Sequence, residues 1–167
     1  MNLISESYRE QNKKLHEGGE YGISGHKHVT QIKYLSENLM TVDILDYGCG
    51  QRSLEQALGF KIHNYDPAIE GLDTPPNPAD IVACTDVLEH IEPDYLDAVL
   101  DDLKRVTKRG IYFIIDLIPA KKKLPDGRNA HLILESGNWW IAKLLSRFTA
   151  RSITVTKKRV YATMGPL

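Results

Sequence analysis

The stretch VDILDYGCGQRSLEQALGF, residues 42–60, joins an apolar run to a tight turn and a helix. The run ends at Asp46, and Gly48 and Gly50 follow. Ser53 with Gln56 then makes the S-x-x-Q pattern of a capping box, opening a helix that Gly59 closes. Strand, glycine turn and helix N-terminus in this order let a ligand approach the backbone. Arg52 and Ser53 stand where such loops carry a third glycine. A plain strand-to-helix turn accounts for the glycines as well as a cofactor loop does, so the flanking segments must decide.

Those segments alternate. Upstream, a polar opening leads into GGEYGISGHKH, whose four glycines in eight residues indicate a flexible loop. Val29, Ile32, Leu35 and Leu39 recur at helical spacing, so residues 27–40 read as an amphipathic helix. Downstream, KIHNYD is a short strand ending at Asp66, and PAIEGLDTPPNPAD reads as loop. DIVACTD and IYFIIDLI are apolar throughout, as strands buried on both faces of a parallel sheet are. Between them Pro93 opens a helix whose Leu96, Val99, Leu100, Leu103 and Val106 share one face, with Gly110 at its end. A basic loop, a helix around NWWIAKLLSRF and the pair SITVT and RVYATM complete the chain. The last two strands are separated by little more than two lysines, too short for a parallel crossover, so they form an antiparallel hairpin and one strand is reversed. The fold class is therefore α/β, a doubly wound and mostly parallel sheet with a reversed C-terminal strand.

The bulk numbers exclude several classes. A chain of 167 residues suggests one domain with its own core, and a formal net charge of −1 argues against nucleic acid as partner. No apolar run reaches the roughly 20 residues of a membrane span. The two cysteines, Cys49 and Cys84, have no metal-ligand spacing, so no metal is expected, and the setting reads as reducing and cytoplasmic.

Ligands of open α/β sheets bind at the C-terminal strand ends, where Asp46, Asp66 and Asp86 fall. Asp66 lies about twenty residues beyond the first strand's end, where a carboxylate takes a ribose hydroxyl in dinucleotide folds. A pyrophosphate needs the full glycine set, and the chain is too short for two mononucleotide halves. A cofactor with ribose and adenine but no phosphate fits better. At this point the segments ILDYGCGQRSL, YDPA and ADIVACTDVLEHI, with the reversed last strand, resemble the class I S-adenosylmethionine-dependent methyltransferases. The resemblance runs from residue 42 to the end and implies a Rossmann-like sheet of order 3-2-1-4-5-7-6. Only thirteen residues, 67–79, stand where the family places a helix and its third strand, so that strand is reduced or missing.

The resemblance assigns the methionine end of the cofactor to the turn of Asp46, Tyr47, Gly48, Cys49 and Gly50. It gives the ribose to Tyr65, Asp66 and Pro67, and the flank at the end of the fourth family strand to Thr85, Asp86 and Val87. Leu72 and Asp73 are the nearest residues to an adenine contact, and Tyr21 with His26 would belong to a lid. On this reading residues 1–41 are an arm or lid plus the first helix, and 42–167 a single methyltransferase-like domain.

For the acceptor, His131 follows the fifth family strand and is the candidate base, with His90 beside it in the ranking. Hydrogen bonding to backbone is the alternative role for His131, and a structural place at the approach to a capped helix is that for His90. Lys121, Lys122, Lys123 and Arg128, in a loop that also reads as merely solvated, would receive an acidic or phosphorylated substrate, and Asp126, Arg128 and Asn129 would orient it. Trp139 and Trp140 point in different directions from one helix; core packing accounts for both, with the pocket or a homodimer surface as the other place for one. The expected function is methyl transfer to an O or N atom of a small, acidic molecule, leaving S-adenosylhomocysteine. A non-catalytic cofactor-binding partner subunit and a cofactor-cleaving enzyme are the alternatives.

Overall fold

The computed structural model describes residues 3–18 and 22–167. Six strands form one sheet. They are β1 (Ile44–Tyr47), β2 (His63–Tyr65), β3 (Ala79–Thr85), β4 (Thr107–Asp116), β5 (Phe148–Val155) and β6 (Arg159–Pro166). Their order is β2-β1-β3-β4-β6-β5. The first three pairings are parallel, while β6 runs antiparallel to both β4 and β5. This is the expected order with its third strand absent. Residues 67–78 make turns instead, held by the Asp66 amide on the Leu72 carbonyl at 2.9 Å.

Helices cover both faces. On one side α2 (Val29–Leu39) and α3 (Ser53–Leu58) pack Ile32, Leu35, Leu54 and Leu58 on Ile44, Ile81 and Ile114. On the other, α4 (Leu96–Val106) and α5 (Gly137–Leu145) bury Leu100, Leu103, Trp140 and Leu144 against Phe113, Ile115 and Val160. The apolar stripe of α4 is buried throughout, each side chain contributing roughly 1.5–3 kcal/mol of transfer free energy. Trp140 is in that core; Trp139 is half-buried beneath Lys143, whose Nζ lies 5.5 Å from the ring centroid.

Three local readings are corrected. The helix expected to run on to Gly110 stops at Val106, and Thr107 begins β4 directly, its hydroxyl donating to the Leu103 carbonyl at 2.7 Å. Gly110 instead lies inside β4, where a Cβ would sit 3.1 Å from Leu39 Cδ1, so the missing side chain lets α2 approach the sheet. The Ser53 capping box does not form. Arg52 precedes the helix with left-handed φ of 56°, and Ser53 Oγ accepts from the His26 amide at 3.3 Å. Finally, the polar opening contains a helix, α1 (Glu6–Glu17), whose N-cap Ser5 accepts from the Tyr8 amide. Ser5 also donates to Glu92 through its amide (2.9 Å) and its hydroxyl (2.7 Å), which fixes α1 to the loop after β3.

Candidate active site

The C-terminal ends of β1, β3 and β4 open on a cavity of about 560 Å³. Gly48, Asp66, Asp86, Val87, His90, His131 and Lys121 all line it. Tyr8, Asn12 and His16 of α1 complete the lining with Gly22, Ile23 and Ser24.

The glycine turn is dictated by its neighbours. Gly48 has φ 78° and Gly50 φ 48°. A Cβ on Gly48 would lie 2.5 Å from Val87 Cγ2, and one on Gly50 2.5 Å from the Gly22 carbonyl oxygen. The amides of Gly48 and Cys49 donate to the Tyr65 carbonyl at 2.8 and 3.0 Å. The Gly50 amide donates to Asp66 Oδ2 at 3.1 Å, while Asp66 Oδ1 accepts from Ala68 at 3.0 Å. The carboxylate expected to face a ribose therefore also ties β2 to the turn. The Arg52 side chain is exposed, outside this crowded turn.

Beneath that layer Asp46 is buried, and burial, with Asp66 and then Glu55 nearby, pushes its carboxyl up to about 7. Tyr47 contributes to the lining, but its hydroxyl donates to Asp102 at 2.9 Å and its ring packs on Tyr65. Burial also raises the Cys49 thiol. Asp86 holds φ 55° at the tip of β3; burial alone would raise its carboxyl, but hydrogen bonding to His28 and Ser24 brings it below the usual range.

His90 and His131, the two base candidates, are brought together: their rings meet edge to face at 4.7 Å between centroids. His90 Nδ1 lies 2.8 Å from the Ala130 carbonyl, and His131 Nδ1 2.6 Å from that of Ile118. A carbonyl only accepts, so both Nδ1 atoms carry hydrogen, and Nε2 is the acceptor nitrogen of each neutral ring. Burial, reinforced by His131, pushes His90 down to about 4.

Other expected site residues are spread more widely. Pro67 and Lys121 line the cavity; Cys49, Gly50, Tyr65 and Thr85 are buried just behind it. Asp126 and Arg128 are exposed and paired to each other at 2.7 Å, away from the cavity. Asn129 shapes the loop, bonding the Ala120 amide and carbonyl at 2.9 Å each and accepting from the His131 amide. Asp73 is exposed, 3.9 Å from Arg9. His26 is exposed with Nδ1 on the Ile23 carbonyl, and Tyr21 lies outside the described residues.

Several lining groups were not anticipated. His16 Nε2 lies 3.8 Å from Asp66 Oδ2, and Arg159 pairs with Asp116 at the cavity wall. Asp116 ends a strand just as Asp46, Asp66 and Asp86 do, and the same rule would have found it.

A methyltransferase-domain family model matches residues 13–157, most of the chain. The chain belongs to this family. No curated protein matches it significantly. Solved structures share the family member's fold at low identity. One is the 1,6-didemethyltoxoflavin-N1-methyltransferase of Burkholderia thailandensis, with bound 1,6-didemethyltoxoflavin and S-adenosylhomocysteine. It is 15% identical with a TM-score of 0.66, over 99% of this chain and 92% of that one. A DhpI–SAH complex is 16% identical with a TM-score of 0.65, over 98% of each chain. The magnesium protoporphyrin IX methyltransferase of Synechocystis PCC 6803, with bound SAH, is 16% identical with a TM-score of 0.56, over 85% of this chain and 83% of that one.

Proposed function

We propose that this methyltransferase-domain protein transfers a methyl group from S-adenosylmethionine to an O or N atom of a small, acidic molecule. The observation that carries the reading is the Gly50-to-Asp66 hydrogen bond, which joins a glycine turn and a strand-end carboxylate at a cavity that two histidines also line. The cavity's volume is within the roughly 300–1,000 Å³ of small-molecule sites, and glycine at 48 and 50 keeps the turn's backbone uncovered by side chains. The residues present therefore fit a nucleoside with an amino-acid tail.

In this arrangement Gly48, Gly50 and the neighbouring Asp46, Tyr47 and Cys49 support the amino-acid end, while Tyr65, Asp66 and Pro67 take the ribose. Thr85, Asp86 and Val87 form the flank between cofactor and acceptor. When bound, the cofactor supplies an electrophilic methyl carbon on a sulfonium, and its C–S bond breaks as the acceptor lone pair attacks. The chain's own contribution is alignment, exclusion of water by α1, and a place for the acceptor proton at His131 Nε2. Lys121 at the cavity rim favours an anionic acceptor. A near-neutral overall charge and a cavity of this size favour a small molecule over nucleic acid. No helix among the described residues is long and apolar enough to cross a membrane. The two buried free cysteines suit a reducing, cytoplasmic compartment.

Calorimetry with S-adenosylmethionine and S-adenosylhomocysteine tests the reading. Micromolar binding by the wild type, weakened at least about tenfold in Asp66→Ala, is the expected result, since loss of a hydrogen bond to a charged group costs about 1.5–3 kcal/mol. Absence of heat at millimolar ligand would overturn it and leave the non-catalytic partner reading.

A further inference from the structure

One carboxylate oxygen of Glu89 and one ring nitrogen each of His90 and His131 lie within 4.8 Å of one another. Glu89 is fully buried, and no cation pairs with it among the described residues. Its Oε1 accepts from the Asp116 amide at 2.8 Å, while its Oε2 is buried without any hydrogen-bond partner. Burial raises the Glu89 carboxyl well above its usual range, and either a proton or a metal ion compensates its unpartnered oxygen.

The two histidines are prepared for the same task. Ligating imidazoles characteristically donate their second nitrogen to a backbone carbonyl or carboxylate, which fixes tautomer and ring orientation. Here Nδ1 of His90 and of His131 is held in that way by Ala130 and Ile118, so Nε2 is the acceptor nitrogen of each neutral ring. A second cluster, Asp86, Glu89 and Asp116, shares Glu89. Arg159 binds both oxygens of Asp116, which makes the nitrogen-containing set the better donor group, with Asp86 available at its side.

We propose that Glu89, His90 and His131 form a divalent transition-metal site at the acceptor end of the cavity. No metal was expected from the sequence. Two imidazoles and one carboxylate favour Mn²⁺, Fe²⁺, Co²⁺, Ni²⁺ or Zn²⁺ over Mg²⁺ or Ca²⁺. Three protein donors leave coordination positions open, the arrangement of a catalytic rather than a structural ion. Metal binding stands independently of the methyl-transfer reading; its use in the reaction rests on it. On that reading the ion would make an acceptor oxygen in the open position acidic near neutral pH; with His131 Nε2 on the ion, the acceptor proton passes to water rather than to that ring, and the oxygen then attacks the methyl carbon.

The test uses the untagged full chain, stripped with EDTA and desalted, titrated with CoCl₂ by calorimetry and visible absorbance. Expected is one Co²⁺ per chain at micromolar affinity with ligand-field bands, and no comparable binding of MgCl₂. His90→Gln and His131→Gln should each weaken Co²⁺ by about a hundredfold or more, the upper end of what even a supporting residue costs. Binding of S-adenosylhomocysteine, measured on the same variants, reports that they fold. No Co²⁺ binding below about 1 mM by wild-type protein, or undiminished binding by the His90→Gln/His131→Gln double variant, would overturn the site. Co²⁺ binding without S-adenosylhomocysteine binding would sustain the metal site and sink the methyl-transfer reading.

Discussion

His90 and His131 are forty-one positions apart in the chain, yet their rings meet edge to face with centroids 4.7 Å apart. Each donates from Nδ1 to a backbone carbonyl, and the acceptor of His90, Ala130, is the residue that precedes its partner. The loop after β4 and the turn after β3 are thereby locked together where the acceptor would sit.

That packing gives His90 a pH signature. Burial, with His131 beside it, lowers its folded pKa to about 4, against about 6.5 unfolded. The unfolded chain binds the extra proton between those values, so this group's contribution to stability falls as pH drops from about 6.5 to 4. The penalty amounts to a few kcal/mol when complete. Urea denaturation of His90→Gln across this window should show a shallower loss of stability on acidification than wild type; parallel curves would refute the assignment.

Asp46 works in the opposite direction. Its carboxyl, raised to about 7 by burial and then by Asp66 and Glu55, keeps its proton in the folded state while the unfolded chain has lost it. Its penalty therefore appears as pH rises above about 4 and is complete above about 7. Asp46→Asn should be more stable than wild type at pH 8, by up to a few kcal/mol, with the gain vanishing toward pH 4. In wild type the two groups offset each other over pH 4–7, so each substitution exposes the slope of the remaining partner. A constant difference between Asp46→Asn and wild type at all pH values would count against this account.

The sheet was legible because its signals are local and mutually consistent. The β1 turn, the α4 stripe and the lysine-linked hairpin each depend on neighbours within about ten residues, while the strand order came from the family resemblance rather than from these signals. The α1 helix escaped because its sequence is polar almost throughout, with only Tyr8 and Leu15 apolar; Ser5 at its start was the available signal. The end of α4 was misplaced because glycine reads as a stop, while Gly110 serves packing under Leu39. Glu89 was invisible as a site residue for another reason. Its companions come from the same turn and from a loop forty-two residues on, and only the fold joins them.

The glycine turn supplies a sharper contrast. Gly50→Ala places a Cβ 2.5 Å from the Gly22 carbonyl oxygen at φ 48°, a backbone contact that cannot rotate away. Gly59→Ala carries only the left-handed strain, at φ 80° with nothing within 4 Å. The Gly59 variant should lose roughly 1–2 kcal/mol. The Gly50 variant should lose about 1–3 kcal/mol beyond that, with weakened S-adenosylhomocysteine binding. Equal urea midpoints for the two would show that residue 22 yields readily and that the close approach is not a constraint.

Arg52 is the departure from the family's glycine pattern, and the structure shows how it is tolerated. The residue takes the left-handed conformation a glycine would, at φ 56°, and sends its side chain to solvent. Left-handed geometry costs a non-glycine residue roughly 1–2 kcal/mol, whereas glycine's extra unfolded-state freedom costs roughly 0.5–1 kcal/mol. Arg52→Gly should therefore be neutral or stabilising by up to about 1.5 kcal/mol, the difference between those opposing terms. Because no atom of the side chain lines the cavity, S-adenosylhomocysteine affinity should change less than about threefold, under 0.7 kcal/mol at RT of roughly 0.59 kcal/mol. A tenfold gain in affinity would instead mean that the arginine obstructs the cofactor turn, and a tenfold loss that it reaches the ligand's carboxylate once the cavity is filled.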